Sequence, residues 1–184
     1  MKTILKSIII VLIFIPLFLG LILFFYDGKF DYVKEIEVNA NIEDVNAMFE
    51  DIYKMKKYMP ETEDILLISG KKNREGSKYR IMISSGKESV EILGTLINNN
   101  LPHKLTMCYE MPGVINTMEQ KHAEIKDDKT LIISKQKFQF SGLMKIISFF
   151  EPEGFNIEAF QEQTNIYLRS FKNLVESESY ESLN

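Results

Sequence analysis

The chain has 184 residues, 22 Lys+Arg against 26 Asp+Glu, a single Cys and no Trp, a length that suits one domain or one domain with an appendage. Lys2 and Lys6 are the only charges in residues 1–26, which leaves 20 basic and 26 acidic groups in the rest. A mildly acidic body with no Lys/Arg block is a poor match for polyphosphate, which argues against nucleic-acid binding. The lone Cys108 excludes an intrachain disulfide and any Cys-rich zinc or iron–sulfur site.

From Ser7 to Tyr26 the chain reads SIIIVLIFIPLFLGLILFFY, with no charged residue. A helix of about 20 residues is roughly 30 Å long, the thickness of a bilayer's hydrocarbon core. Pro16 and Gly20 are tolerated in such a helix, and Lys2, Lys6 and Tyr26 suit its two interfaces. A cleaved signal peptide would have a shorter apolar region ending in a small-x-small site. Here the run ends in Leu-Phe-Phe-Tyr-Asp, and no Cys follows to carry a lipid. The expectation is an uncleaved transmembrane anchor over residues 1–26 and a linker over 27–31. Lys/Arg counts tie across the span, but Asp27, Asp31, Glu35 and Glu37 follow it. These and the amino terminus point to a single-pass membrane protein with its N-terminus inside and its body extracytoplasmic.

In YVKEIEVNA, Val33, Glu35, Glu37 and Asn39 alternate with Ile36, Val38 and Ala40, which predicts a strand packed on one face. Asn41 has the chemistry of a helix N-cap, and Val45, Met48, Phe49 and Ile52 form a helical stripe. A second short helix runs from Tyr53 to Tyr58 and is stopped by Pro60. Six strands follow, at 64–69, 77–84, 89–98, 103–111, 117–126 and 130–140, separated by turn residues such as Gly70, Ser85-Gly86, Pro112-Gly113 and Asp127-Asp128. Connections this short make an antiparallel meander. Leu143–Phe150 is a short apolar segment, and Ile157, Phe160, Thr164, Tyr167, Phe171 and Leu174 give a helical stripe over 156–176. Residues 178–184 are expected to be a polar tail. One sheet with helices at its ends is α+β, and only the long last helix can cover a curled seven-stranded sheet.

This order resembles the helix-grip arrangement of the START/Bet v 1-like superfamily, including its bacterial polyketide cyclase-like members. The residues that carry the likeness lie in VKEIEVNANIEDVNAMFEDIYKMKKYMPE: Ile36, Val38, Ala40, Val45, Phe49, Asp51, Tyr58 and Pro60, with FKNLVE (171–176) near the end. It covers residues 32–177. Tyr58 stands where Trp is common in that family and Asn41 where Pro is usual. The resemblance implies a curved seven-stranded antiparallel sheet around the last helix, enclosing a cavity for a hydrophobic small molecule such as a lipid, an isoprenoid or a polyketide-like compound. The lining residues expected from the strand and helix faces are Tyr79, Ile81, Ile83, Leu105, Met107, Tyr109, Phe160, Thr164, Tyr167 and Phe171. The bland alternative is that these side chains fill a closed core and the domain is a protein-interaction module.

An enzyme would need an acid, a base or a metal. His103 and His122 are the only histidines, and neither has a metal-ligand spacing, so no metal or cofactor is expected. His103 reads as a loop residue. His122, among Glu119, Lys121 and Glu124, reads as a surface strand residue unless its face turns inward with Met118 and Gln120. A cyclase or dehydratase-like enzyme would then combine Tyr109 with His122 or Arg80. Lys71-Lys72-Asn73-Arg74 reads as a solvated hairpin tip, and Glu61–Asp64 and Glu151-Pro152-Glu153 as loop carboxylates.

Overall fold

Seven antiparallel strands arise where the sequence alternates, in the order β1-β7-β6-β5-β4-β3-β2. They are β1 (Lys29–Val38), β2 (Thr62–Ser69), β3 (Lys78–Ser85), β4 (Glu88–Asn100), β5 (Lys104–Met111), β6 (Val114–Lys126) and β7 (Lys129–Phe140). This computed structural model describes residues 2–86, 88–150 and 156–182; the side chains of 2, 3, 5, 8, 9, 85 and 179–182 are outside the description. β2 to β7 form the expected meander, and β1 pairs with β7 from Lys29↔Gln139 to Val38↔Thr130. Register shifts within β2, β4 and β6 add local twist, which helps the sheet curl.

Among the described residues the α-helices are α1 (Lys2–Phe25), α2 (Ile42–Glu50), α3 (Met55–Tyr58), α4 (Gly142–Phe150) and α5 (Ile157–Ser182). Asn41 caps α2 as its chemistry suggests, with Oδ1 accepting from the Asp44 N–H at 2.8 Å. The expected second helix is a 3-10 turn at Ile52–Lys54 followed by α3. The core lies between the concave face and α2, α3 and α5. There Phe171, fully buried, stacks on Phe49 at 4.1 Å and meets Tyr58 edge-on at 5.1 Å. A second aromatic group, Phe30, Tyr32, Phe138, Phe140 and Phe160, packs between β1, β7 and the start of α5.

Two expectations about α5 change. It runs to Ser182, so residues 178–182 are helical rather than tail, and Glu178 pairs with Lys57 at 2.8 Å. Its buried residues are Leu168, Phe171 and Val175, with Tyr167 and Leu174 only half-buried. The stripe is rotated because α5 packs on both β1 and α3.

α1 is apolar on all sides, and Ile10, Leu12, Phe14, Leu17, Phe18 and Phe24 are each more than half exposed. Among the described residues, no helix is long and apolar enough to cross a membrane. The expected span over Ser7–Tyr26 therefore has no support from the described residues, and it includes Ile8 and Ile9, whose side chains lie outside them. The foot of α1 meets α4, where Lys145 Nζ donates to the Leu23 carbonyl at 2.8 Å and the Tyr26 and Phe149 rings meet edge-on at 5.5 Å. The Glu151-Pro152-Glu153 carboxylates fall outside the described residues.

Candidate functional site

Strand register decides what faces the concave side. Leu105, Met107 and Tyr109 of β5 stand opposite Gln120, Met118 and Asn116 of β6 and Asn99, Leu96 and Gly94 of β4. Gly94 in turn pairs with Tyr79, and Ile92 with Ile81. Gly94 matters because a Cβ there would lie 2.9 Å from Ile81 Cδ1 and within 4 Å of Met107 Cε and Tyr109 Cδ1. Its missing side chain is the space that those three share.

The resulting interior has two halves. The half on β2–β5 is apolar, with Ile65, Tyr79, Ile81, Leu96, Leu105 and Met107 all buried. The half on β6 and β7 is polar, with Gln120, His122, Ser134 and Gln136 all buried. Gln136 donates to Ser134 Oγ at 3.0 Å and accepts from Asn116 Nδ2 at 3.0 Å. His122 Nδ1 lies 2.6 Å from Asn46 Oδ1 on α2. Because that oxygen only accepts, Nδ1 carries the hydrogen and Nε2 presents a lone pair. Burial, against the Phe49 ring at 5.1 Å, pushes the imidazole down to about 4. Gln120 Oε1 and His122 Nε2 are buried without a hydrogen-bond partner. Burial also raises the Tyr58 and Tyr109 phenols, so both are neutral donors.

A cavity of about 30 Å³ lies between the apolar half and α2–α3, lined by Phe49, Ile52, Met55, Tyr58, Leu96 and Met118 with Tyr79, Leu105, Met107 and Tyr109. It holds about one water molecule. A larger hollow of about 470 Å³ is an open groove on the outer face of β1, β7 and β6, with Asp27, Lys29, Asp31 and Lys137 on its walls. Charged and solvent-facing, that groove lacks the enclosure an apolar ligand needs.

Of the ten residues expected to line a pocket, Tyr79, Leu105, Met107 and Tyr109 reach this cavity. Ile81 and Ile83 belong to the core beside it, and Phe171 is enclosed by Phe49 and Tyr58. Phe160 and Thr164 sit at the far aromatic end, where Tyr32 Oη bonds Thr164 Oγ1 and the Phe160 carbonyl, both at 2.9 Å. Tyr167 does not reach the cavity wall; burial and nearby Glu61 raise its phenol.

The surface placement of His122 is overturned: its ring is 6% exposed. Gln120 turns inward with it, and the polar partners Ser134 and Gln136 were missed. A signal for the inward face of β6 existed. The two-residue Pro112-Gly113 turn pairs Met111 with Val114, and counting back along both strands sets Gln120 opposite Leu105. The pairing of Tyr109 with Arg80 does not form, because Arg80 is exposed and opposite Leu66 and Leu93 rather than Gly94. His103 is exposed, as expected. Lys72 of the hairpin tip pairs with Asp51 at 2.9 Å and sits over the Tyr53 ring. Among the described residues, no three His, Cys, Asp or Glu side chains converge as a metal site.

No family model matches the chain, and no curated protein matches it. Solved structures do. A START superfamily protein from Mycobacterium smegmatis aligns with a TM-score of 0.63 at 12% identity, over 80% of this chain and 97% of that one. The Zhui aromatase/cyclase from Streptomyces sp. R1128 gives 0.63 at 12%, over 85% and 96%. Norcoclaurine synthase from Thalictrum flavum, in complex with dopamine and hydroxybenzaldehyde, gives 0.58 at 14%, over 80% and 86%. At such identities the likeness establishes the fold: an α+β helix-grip with a seven-stranded antiparallel sheet and a long C-terminal helix.

Proposed function

We propose that the domain holds a hydrophobic small molecule between the concave sheet and its helices, and that α1 keeps it at a lipid bilayer. The observation that carries the first part is the divided interior, an apolar wall on β2–β5 facing a buried polar band on β6 and β7. Sealed protein cores are rarely lined this way, because buried polar groups cost free energy unless paired. The 30 Å³ cavity is too small for a ligand as it stands. Its wall includes Met55, Met107 and Met118, whose unbranched side chains repack readily around a guest. Burying ~300 Å² of ligand would gross about 7 kcal/mol before immobilisation costs. Among the fold's neighbours, one is described as an aromatase/cyclase and another holds two small aromatic molecules. An isoprenoid, lipid or polyketide-like ligand is the proposal for this chain.

The anchor rests on the uncharged Ser7–Tyr26 run and on the apolar side chains that α1 exposes along most of its described length. Exposed surface of that extent calls for a cover. Leu143 and Phe150 of α4, both more than half exposed beside the foot of α1, extend it. The body would stand outside the cytoplasm. Alkaline carbonate should leave the full chain in the membrane pellet, and removal of residues 1–26 should release it; extraction of the full chain by carbonate would end this reading.

The binding test is titration of the purified chain with the apolar fluorophore N-phenyl-1-naphthylamine. One saturable site is expected, lost in Met118→Trp with folding retained. Binding that is unsaturable, or unaffected by filling the cavity, would refute it. A second reading is favoured by the cavity's small volume: a filled core whose surface recognises another protein. A cyclase or dehydratase-like activity would require the polar band to act on the ligand, and the Tyr109–Arg80 version of it is excluded by Arg80's outward position.

A further inference from the structure

Gln120 and His122 occupy successive inward positions on β6, so their side chains emerge from the same face roughly 7 Å apart at the backbone. Gln120 is 2% exposed and His122 6%. Each has a buried atom with no hydrogen-bond partner, Oε1 of the amide and Nε2 of the imidazole. With the Nδ1 hydrogen committed to Asn46, Nε2 is an acceptor, as the amide oxygen is. No neighbouring side chain satisfies them in the folded chain: Ser134, opposite Gln120, accepts from Gln136 and makes no bond to Gln120 Oε1, and the Ile132 side chain, opposite His122, has nothing to donate. Two orphaned acceptors side by side are a costly arrangement that a donor would relieve. They also adjoin the cavity wall: Phe49 packs on the His122 ring, Leu105 faces Gln120, and Met118 is the next inward residue.

Resting on the ligand-binding reading above, we propose that Gln120 and His122 form the polar subsite of the pocket and that the hydroxyl of an apolar alcohol or phenol donates its single hydrogen to His122 Nε2, with the Gln120 amide beside it. The apolar remainder lies along Leu105, Met107 and Leu96. An aldehyde, ketone or ether offers only acceptors and leaves both orphans unpaired. Selection for a donor is therefore a property of the site, separate from its capacity for apolar bulk.

The test compares matched probes on the full chain in mild detergent: 2-naphthol against 2-methoxynaphthalene, and dodecanol against dodecyl methyl ether. The wild-type chain should prefer the hydroxyl member of at least one pair tenfold or more, and that pair tells whether the hydroxyl sits on a ring or a chain. In Gln120→Met/His122→Phe the preference should fall to within twofold; partitioning into detergent is common to both chains and cancels. Because the double variant can fail to fold, [15N]histidine spectra of the wild type give an independent readout. The hydroxyl probe should move the Nε2 resonance of one histidine, and the ether should not. Equal affinities in both pairs, a preference that survives the double substitution, or an unmoved Nε2 signal overturns the subsite while leaving the pocket standing. Failure of all four probes to bind overturns the pocket as well.

Discussion

His122 concentrates the chemistry of the interior in one side chain. Its folded-state value near 4 lies below the ordinary 6.5, so between these the unfolded chain takes up a proton that the folded chain refuses. Stability therefore declines as pH falls through that window, by ~1.4 kcal/mol per unit at most. Carboxylates such as Glu119, held low by Lys104 at 2.9 Å, respond only below about 4.5. Urea unfolding at pH 6.5 and pH 5 should show the loss in wild type and little of it in His122→Gln; an unchanged midpoint across that range would place the ring in solvent. At the aromatic end, Tyr32→Phe removes both bonds from the phenol to α5 and should cost about 1–2 kcal/mol. A variant as stable as wild type would show that those bonds are replaced by water. Residues of this kind were only partly legible in the sequence. Tyr79, Leu105 and Met107 announce themselves by alternation, whereas TMEQKHAEIK is polar at nearly every position and hides its inward side.

At the level of elements, local chemistry marked most boundaries. Asn41 begins α2 and turn residues such as Gly86 and Gly113 separate the strands, because a cap and a positive φ are properties of a few adjacent residues. Asn41→Ala should destabilise the fold by about 1 kcal/mol, read from the chemical midpoint, whereas Asn41→Ser, which keeps a capping oxygen, should recover most of the loss. Gly113 carries a further demand. At φ +77, a Cβ would fall 2.6 Å from Met144 Cγ, so Gly113→Ala both strains the β5–β6 turn and pushes α4 away. Its expected cost exceeds 1 kcal/mol, with increased hydrogen exchange in α4 as the distinguishing sign; protection equal to wild type would show that Met144 simply rotates aside. The phase and end of α5 were not legible, because they depend on α3 and β1, which meet α5 only in the folded chain.

For the whole molecule, the element order was enough for the helix-grip arrangement, since a meander of short turns closed by one long helix leaves few alternatives. The size of the interior was not. Whether facing apolar side chains meet or stay apart is a matter of ångströms in three dimensions, and alternation along a strand does not encode it. Phe171, expected to border a void, lies behind its wall instead, packed on Phe49 and Tyr58. The folded chain thus keeps a cavity of about 30 Å³, with methionines in its wall and a row of buried polar groups on the neighbouring strands. The test that bears most directly on this reading is to purify the full chain under mild conditions, extract it with organic solvent and identify the co-purifying compounds by mass spectrometry. One apolar, hydroxyl-bearing compound per chain, absent from an extract of the Met118→Trp variant, is expected. An extract holding nothing beyond what the variant also carries, even after incubation with membrane lipids, would contradict a binding function and leave a filled-core interaction module.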